Sequence, residues 1–152
     1  MKFFIFTVIL FISLHIACAQ DQLPSTAVTK NGVTIAASYS SFQHGKEFIV
    51  VYLKNNTDAI KMHPRVGRDS GFMISLFTNN SPRGFRDEDP TARTILEDLP
   101  PNALKEYRIR LNPSEIAKLT GTSIVISTKI YDPITKITFS IASSPEILVP
   151  NP

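Results

Sequence analysis

Thiol chemistry is almost absent from this chain of 152 residues, whose one cysteine is Cys18. A lone thiol closes no disulfide within the chain and falls short of the thiolate sets that hold zinc. Tryptophan is missing, so a core has to come from Ile, Val, Leu, Phe and Tyr. Charge of one sign is never concentrated: 16 Lys and Arg are interspersed with 13 Asp and Glu, which offers no basic stripe for nucleic acid. After the N-terminus, no apolar run approaches the roughly 20 residues of a membrane-spanning helix.

The apolar run that does exist opens the chain. Lys2 precedes Phe3-Phe4-Ile5-Phe6-Thr7-Val8-Ile9-Leu10-Phe11-Ile12-Ser13-Leu14, and the small residues of Ala17-Cys18-Ala19 follow. A positive residue, a short apolar stretch and an A-x-A site are the order of a secretory signal peptide. This predicts a signal over residues 1–19 cut before Gln20, and a secreted or periplasmic product free of cysteine. Two alternatives use the same residues: an uncleaved anchor, and a lipoprotein acylated at Cys18, whose signal ordinarily carries Leu where His15 stands. The remainder is expected to hold a flexible segment at 20–30 and one domain at 31–150.

Period-2 alternation dominates beyond residue 30. Val33, Ile35, Ala37 and Tyr39 share one face, and residues 47–53 are apolar on both, as in a central strand. Further strands are expected at 59–63, stopped by Pro64, at 71–77, and at 94–99. Over 104–111, Tyr107, Ile109 and Leu111 face inward while Glu106, Arg108 and Arg110 face out. Asn112-Pro113-Ser114-Glu115 has the chemistry of a helix start, with Asn as N-cap, Pro in the first turn and Glu placed for a capping box, so one short helix is predicted near 113–119. Strands at 122–131 and 136–142 flank the turn Asp132-Pro133-Ile134-Thr135, and 146–149 adds an edge. The pattern predicts an all-β, two-sheet β-sandwich of immunoglobulin-like type with seven to eight strands, a β-barrel being the alternative.

Residues 99–149 resemble the final strands of secreted and periplasmic immunoglobulin-like domains. The matching residues are Pro100-Pro101-Asn102 for a "PPG" turn, Tyr107-Arg108-Ile109-Arg110-Leu111 for the strand after it, Gly121-Thr122, and Ser143-Ser144-Pro145-Glu146-Ile147 for the closing "S-N-P-hydrophobic" element. Asn102 replaces the usual Gly and Ser144 the usual Asn. Residues 48–56, a strand running into Leu53-Lys54-Asn55-Asn56-Thr57, share this form. The resemblance implies a sandwich fold; some such families inhibit proteases and others are passive modules, so no functional residue is transferred.

Catalytic signatures are lacking. There is no G-x-S-x-G elbow and no H-x-H or i, i+4 histidine pair, so neither an enzyme nor a metal or other cofactor is expected. His44 and His63, with Asp69 as a third ligand, are the candidate metal-binding set, two ordinary surface histidines being the plainer reading. Asp87, Glu88 and Asp89 lack the glycine-punctuated calcium loop. Residues 78–93 read as a long loop whose single large apolar residue, Phe85, lies between Arg83 and Arg86. Aromatic and Arg side chains dominate binding hot spots, so Arg83, Phe85 and Arg86 are the candidate partner-binding residues. Lys61, Arg65 and Arg68 around Pro64 make a basic patch that is a second candidate contact surface, scattered surface charge being its default explanation. Asn55 and Asn79 head N-x-[ST] triplets and are glycan acceptors if the host is eukaryotic. The function expected is an exported, non-enzymatic module that binds another protein, in a sharper version an inhibitor or immunity protein for a hydrolase. A structural envelope domain and an unrecognised enzyme are the alternatives.

Overall fold

In the computed structural model the residues described are 22–42, 46–66, 71–78, 81–85, 94–145 and 147–148. The strands are β1 (Val28–Lys30), β2 (Val33–Phe42), β3 (Lys46–Asn55), β4 (Lys61–Val66), β5 (Met73–Thr78), β6 (Ser81–Gly84), β7 (Thr94–Leu99) and β8 (Leu104–Leu111). Helix α1 (Pro113–Leu119) follows, then β9 (Ser123–Asp132), β10 (Ile137–Ala142) and the two-residue β11 (Ile147–Leu148).

Two antiparallel sheets form a β-sandwich. One has the order β1-β2-β3-β8. The other runs β6-β5-β9-β4-β7, with β10 and β11 along the remaining side of β9. The alternation of the sequence dictates what lies between them. Val33, Ile35, Ala37, Ile49, Val51, Leu53, Ile109 and Leu111 line one wall, and Ile74, Leu99, Ile124, Ile126, Ile130, Phe139 and Ile141 the other. β3, apolar on both faces, is indeed interior, between β2 and β8.

The helix begins as its residues require. The Asn112 side chain accepts from the Glu115 N–H at 2.9 Å while the Glu115 carboxylate accepts from the Asn112 N–H at 2.8 Å, a reciprocal cap that satisfies two donors otherwise without partners. Leu119 is its buried residue and joins the core. The β9–β10 turn is likewise built locally: Asp132 accepts from the Ile134 N–H at 3.0 Å, and Lys136 takes positive φ.

The structure departs from the sequence-based expectation in three places. Eleven strands are present among the described residues, not seven to eight, because short edge strands such as β1 and β6 carry too few residues to alternate visibly. Residues 22–30 are not a flexible lead-in: β1 pairs with β2, and buried Thr26 donates to the Ala37 carbonyl at 2.6 Å and accepts from the Ala37 N–H at 2.9 Å. Pro64 does not stop its strand either. β4 runs through it to Val66, with Pro64 facing Leu96 of β7.

Candidate functional site

Pro64 is tolerated for a reason that also defines an edge. In an antiparallel ladder a residue turns its N–H and C=O to the same side, and the side alternates along the strand. Asp98 turns its carbonyl away from β4, where Lys105 Nζ donates to it at 2.6 Å. Two residues earlier, Leu96 therefore also points its backbone groups outward, so the proline opposite it, which has no N–H, costs the β4–β7 ladder nothing. On that outer side β7 pairs with no described strand. Ile95 and Leu96, on opposite faces of the strand, are 60 % and 52 % exposed.

Behind this edge the two sheets meet in a polar seam. β7 and β8 belong to different sheets and are joined by the turn at 100–103. Asn55 pins that turn from the end of β3: fully buried, it donates through Nδ2 to the carbonyls of Ala59, Leu99 and Pro100 at 2.8, 3.0 and 3.1 Å. Its Oδ1 accepts from the Thr57 N–H and hydroxyl. Lys105 of β8 then crosses to Glu97 of β7 at 2.7 Å, and Arg65 of β4 approaches the other Glu97 oxygen at 3.9 Å. The hydrogen bond from Lys105 holds the Glu97 carboxyl below its usual range.

Inward from this ion cluster lies His63, opposite Glu97 in register and fully buried. Its ring sits 4.7 Å from Phe72 and 5.3 Å from Tyr107, which are themselves 5.1 Å apart. Both His63 nitrogens, Glu97 Oε2 and the Tyr107 hydroxyl are buried without a hydrogen-bond partner among the described residues, an arrangement native interiors mostly avoid. Burial pushes the His63 imidazole down to about 4, against a smaller upward pull from Glu97. Burial also pushes the Tyr107 phenol up to about 12. At neutral pH the cluster is therefore a neutral imidazole and a neutral phenol beside one carboxylate engaged by two cations.

The candidate residues scatter. His63 is an interior residue, contrary to the surface position expected of it, because Phe72 and Tyr107 of β8 cover it, whereas Arg65, on the same face of β4 two residues on, is exposed. His44 and Asp69 lie outside the described residues, as do Arg68, Asn79, Arg86 and 87–89. Arg83 is exposed on β6, and Phe85 is partly buried against the core and donates its backbone N–H to the Ile74 carbonyl at 2.9 Å. Lys61 is buried and paired with Asp132 at 2.7 Å; that bond holds the Asp132 carboxyl down to about 2. Asn55 leaves its amide nitrogen no room for a sugar in this fold.

Elsewhere, a depression of about 380 Å³ on the outer face of the larger sheet is lined by Pro64, Met73, Thr94, Ser127, Lys129 and Ser140 among others. Lys129 is the one ionisable group among the described residues of its lining. The β7 edge and the seam behind it are what sequence reasoning missed. The signal for the edge was the Ile95-Leu96 pair, which breaks alternation. No protein-family model, curated protein or solved structure matches the chain.

Proposed function

We propose that this chain is exported and acts as a non-enzymatic binding module, contacting an extended segment of another secreted or periplasmic protein along β7. The observation that carries this reading is the outer edge of β7, which pairs with no described strand, with Leu96 backbone groups turned outward by the ladder geometry and two large apolar side chains exposed on it. An open edge with apolar side chains is the template for strand addition, in which main-chain bonds give affinity and side-chain contacts give selectivity. The partly exposed Arg65 guanidinium beside Ile95 favours a segment that carries a carboxylate. The signal-like residues 1–19 support export, and the resemblance to immunoglobulin-like domains, some of which block proteases, supports a hydrolase as the partner class.

The test is affinity capture from the exported fraction of the source cells with the chain from Gln20, compared with Ile95→Lys and Leu96→Lys. A specific partner held by the natural chain and lost by both variants is the expected result. If the partner is a hydrolase, adding the chain lowers its activity. Equal capture by all three chains overturns the assignment of β7.

A further inference from the structure

Lys105 serves two groups at once, the Glu97 carboxylate at 2.7 Å and the Asp98 carbonyl at 2.6 Å. While it does so, the Asp98 part of the β7 edge is capped, and the outward backbone groups left over belong to Thr94 and Leu96. What holds Lys105 there is Glu97, and on the buried side of Glu97 stands His63. Every element packed on that imidazole contributes: Glu97 from β7, Arg65 from its own strand, Lys105 and Tyr107 from β8, and the uncharged ring of Phe72 ahead of β5. With His63 neutral, one carboxylate is shared by two cations. A proton on His63 adds a third cation competing for it, and from the interior side, where solvent screens the attraction least.

We propose that the seam is an acid-operated latch on the binding edge: protonated His63 draws Glu97 off Lys105, Lys105 releases the Asp98 carbonyl, and the free edge of β7 extends from Leu96 to Asp98. This rests on the reading of β7 as the binding edge and concerns its regulation. The proton is taken up from solvent onto an imidazole nitrogen that has no hydrogen-bond partner among the described residues in the closed arrangement. In the open arrangement the imidazolium N–H donates to the carboxylate, so acid both loosens the cap and satisfies a buried group. Acidification therefore adds the N–H and C=O of Asp98 to the pairing surface.

The test needs no partner. NMR of the exported chain is followed from about pH 7.5 to about pH 3.5, a span covering both ordinary and lowered histidine titration. The ring Hε1 of His63 and the carbonyl carbon of Asp98 are expected to move with one midpoint. The β4-bonded amides of Ile95 and Glu97 are expected to keep the same protection relative to the Ile126 amide of β9 across this range, since the latch uncaps only the outward groups of Asp98 and leaves the β4–β7 ladder paired. His63→Phe, which preserves the stacked ring, flattens the His-linked part of the Asp98 response, and His63→Gln is the second variant should that one pack badly. An Asp98 response unchanged in these variants overturns the latch, as does loss of protection at Ile95 and Glu97 relative to Ile126, which would mean that β7 comes away from β4 instead. Because capture with Ile95→Lys is done at neutral pH, failure of the latch and failure of the binding edge are separate results.

Discussion

Asn55 and Gly71 show how single residues position the candidate site. Truncating Asn55 to Ala strips two hydrogens from three carbonyls and an acceptor from Thr57. Buried polar groups left unmatched in this way cost about 1–3 kcal/mol, so urea denaturation of Asn55→Ala is expected to show a loss in that range. Asn55→Asp, which keeps the acceptor but loses the donors, should do no better. Gly71 precedes Phe72 and sits at φ +68, where an added Cβ would run into the Pro64 carbonyl oxygen. Gly71→Ala is therefore strained in backbone and in space, with an expected loss of about 2 kcal/mol or more. Because Gly71 orients Phe72 against His63, the same variant should alter the His63 ring resonances in NMR.

At the scale of elements, α1 and β7 behave oppositely. The capping box makes α1 a local matter, and Asn112→Ala is expected to lower stability by about 1 kcal/mol in thermal or urea melts. The apolar pair on β7 is not part of the core, so Ile95→Lys and Leu96→Lys should leave stability within about 0.5 kcal/mol while removing partner capture. A large stability loss in these variants would mean that the edge is covered by the chain's own residues. α1 was legible residue by residue, since a cap depends on four consecutive side chains. β7 was legible as a strand but not as an edge, since being an edge depends on which strands pair, and that is decided between residues far apart.

Across the whole molecule the seam couples folding to pH. His63 holds its proton less firmly in the folded state, about 4 against an ordinary 6.5, so between these values the unfolded chain binds more protons. Stability is then complete above pH 6.5 and falls as pH drops toward 4, by about 3 kcal/mol at one proton over that interval. Glu97, also lowered in the folded state, acts in the same direction below the ordinary carboxylate range. Urea melts of the natural chain at a series of pH values should show this slope, and His63→Phe should remove the part lying between pH 6.5 and 4. An unchanged slope in that variant would place the acid sensitivity elsewhere.

Alternation at Val33–Tyr39 and Tyr107–Leu111, the Asn112 cap and the Asp132 turn chemistry made the strands, the helix and the all-β sandwich readable, because each depends on neighbours a few residues apart. The partnership of strands did not share that property. That Pro64 could sit inside β4, that Phe85 would turn onto the core, and that Asn55 would be a buried pin rather than a free amide all followed from contacts across tens of residues. His63 is the clearest case. Its identity allowed a surface group or an interior one, and what put it behind Glu97 was the closure of β8 of one sheet over β4 and β7 of the other, which removes water from a side chain that the sequence left equally able to keep it.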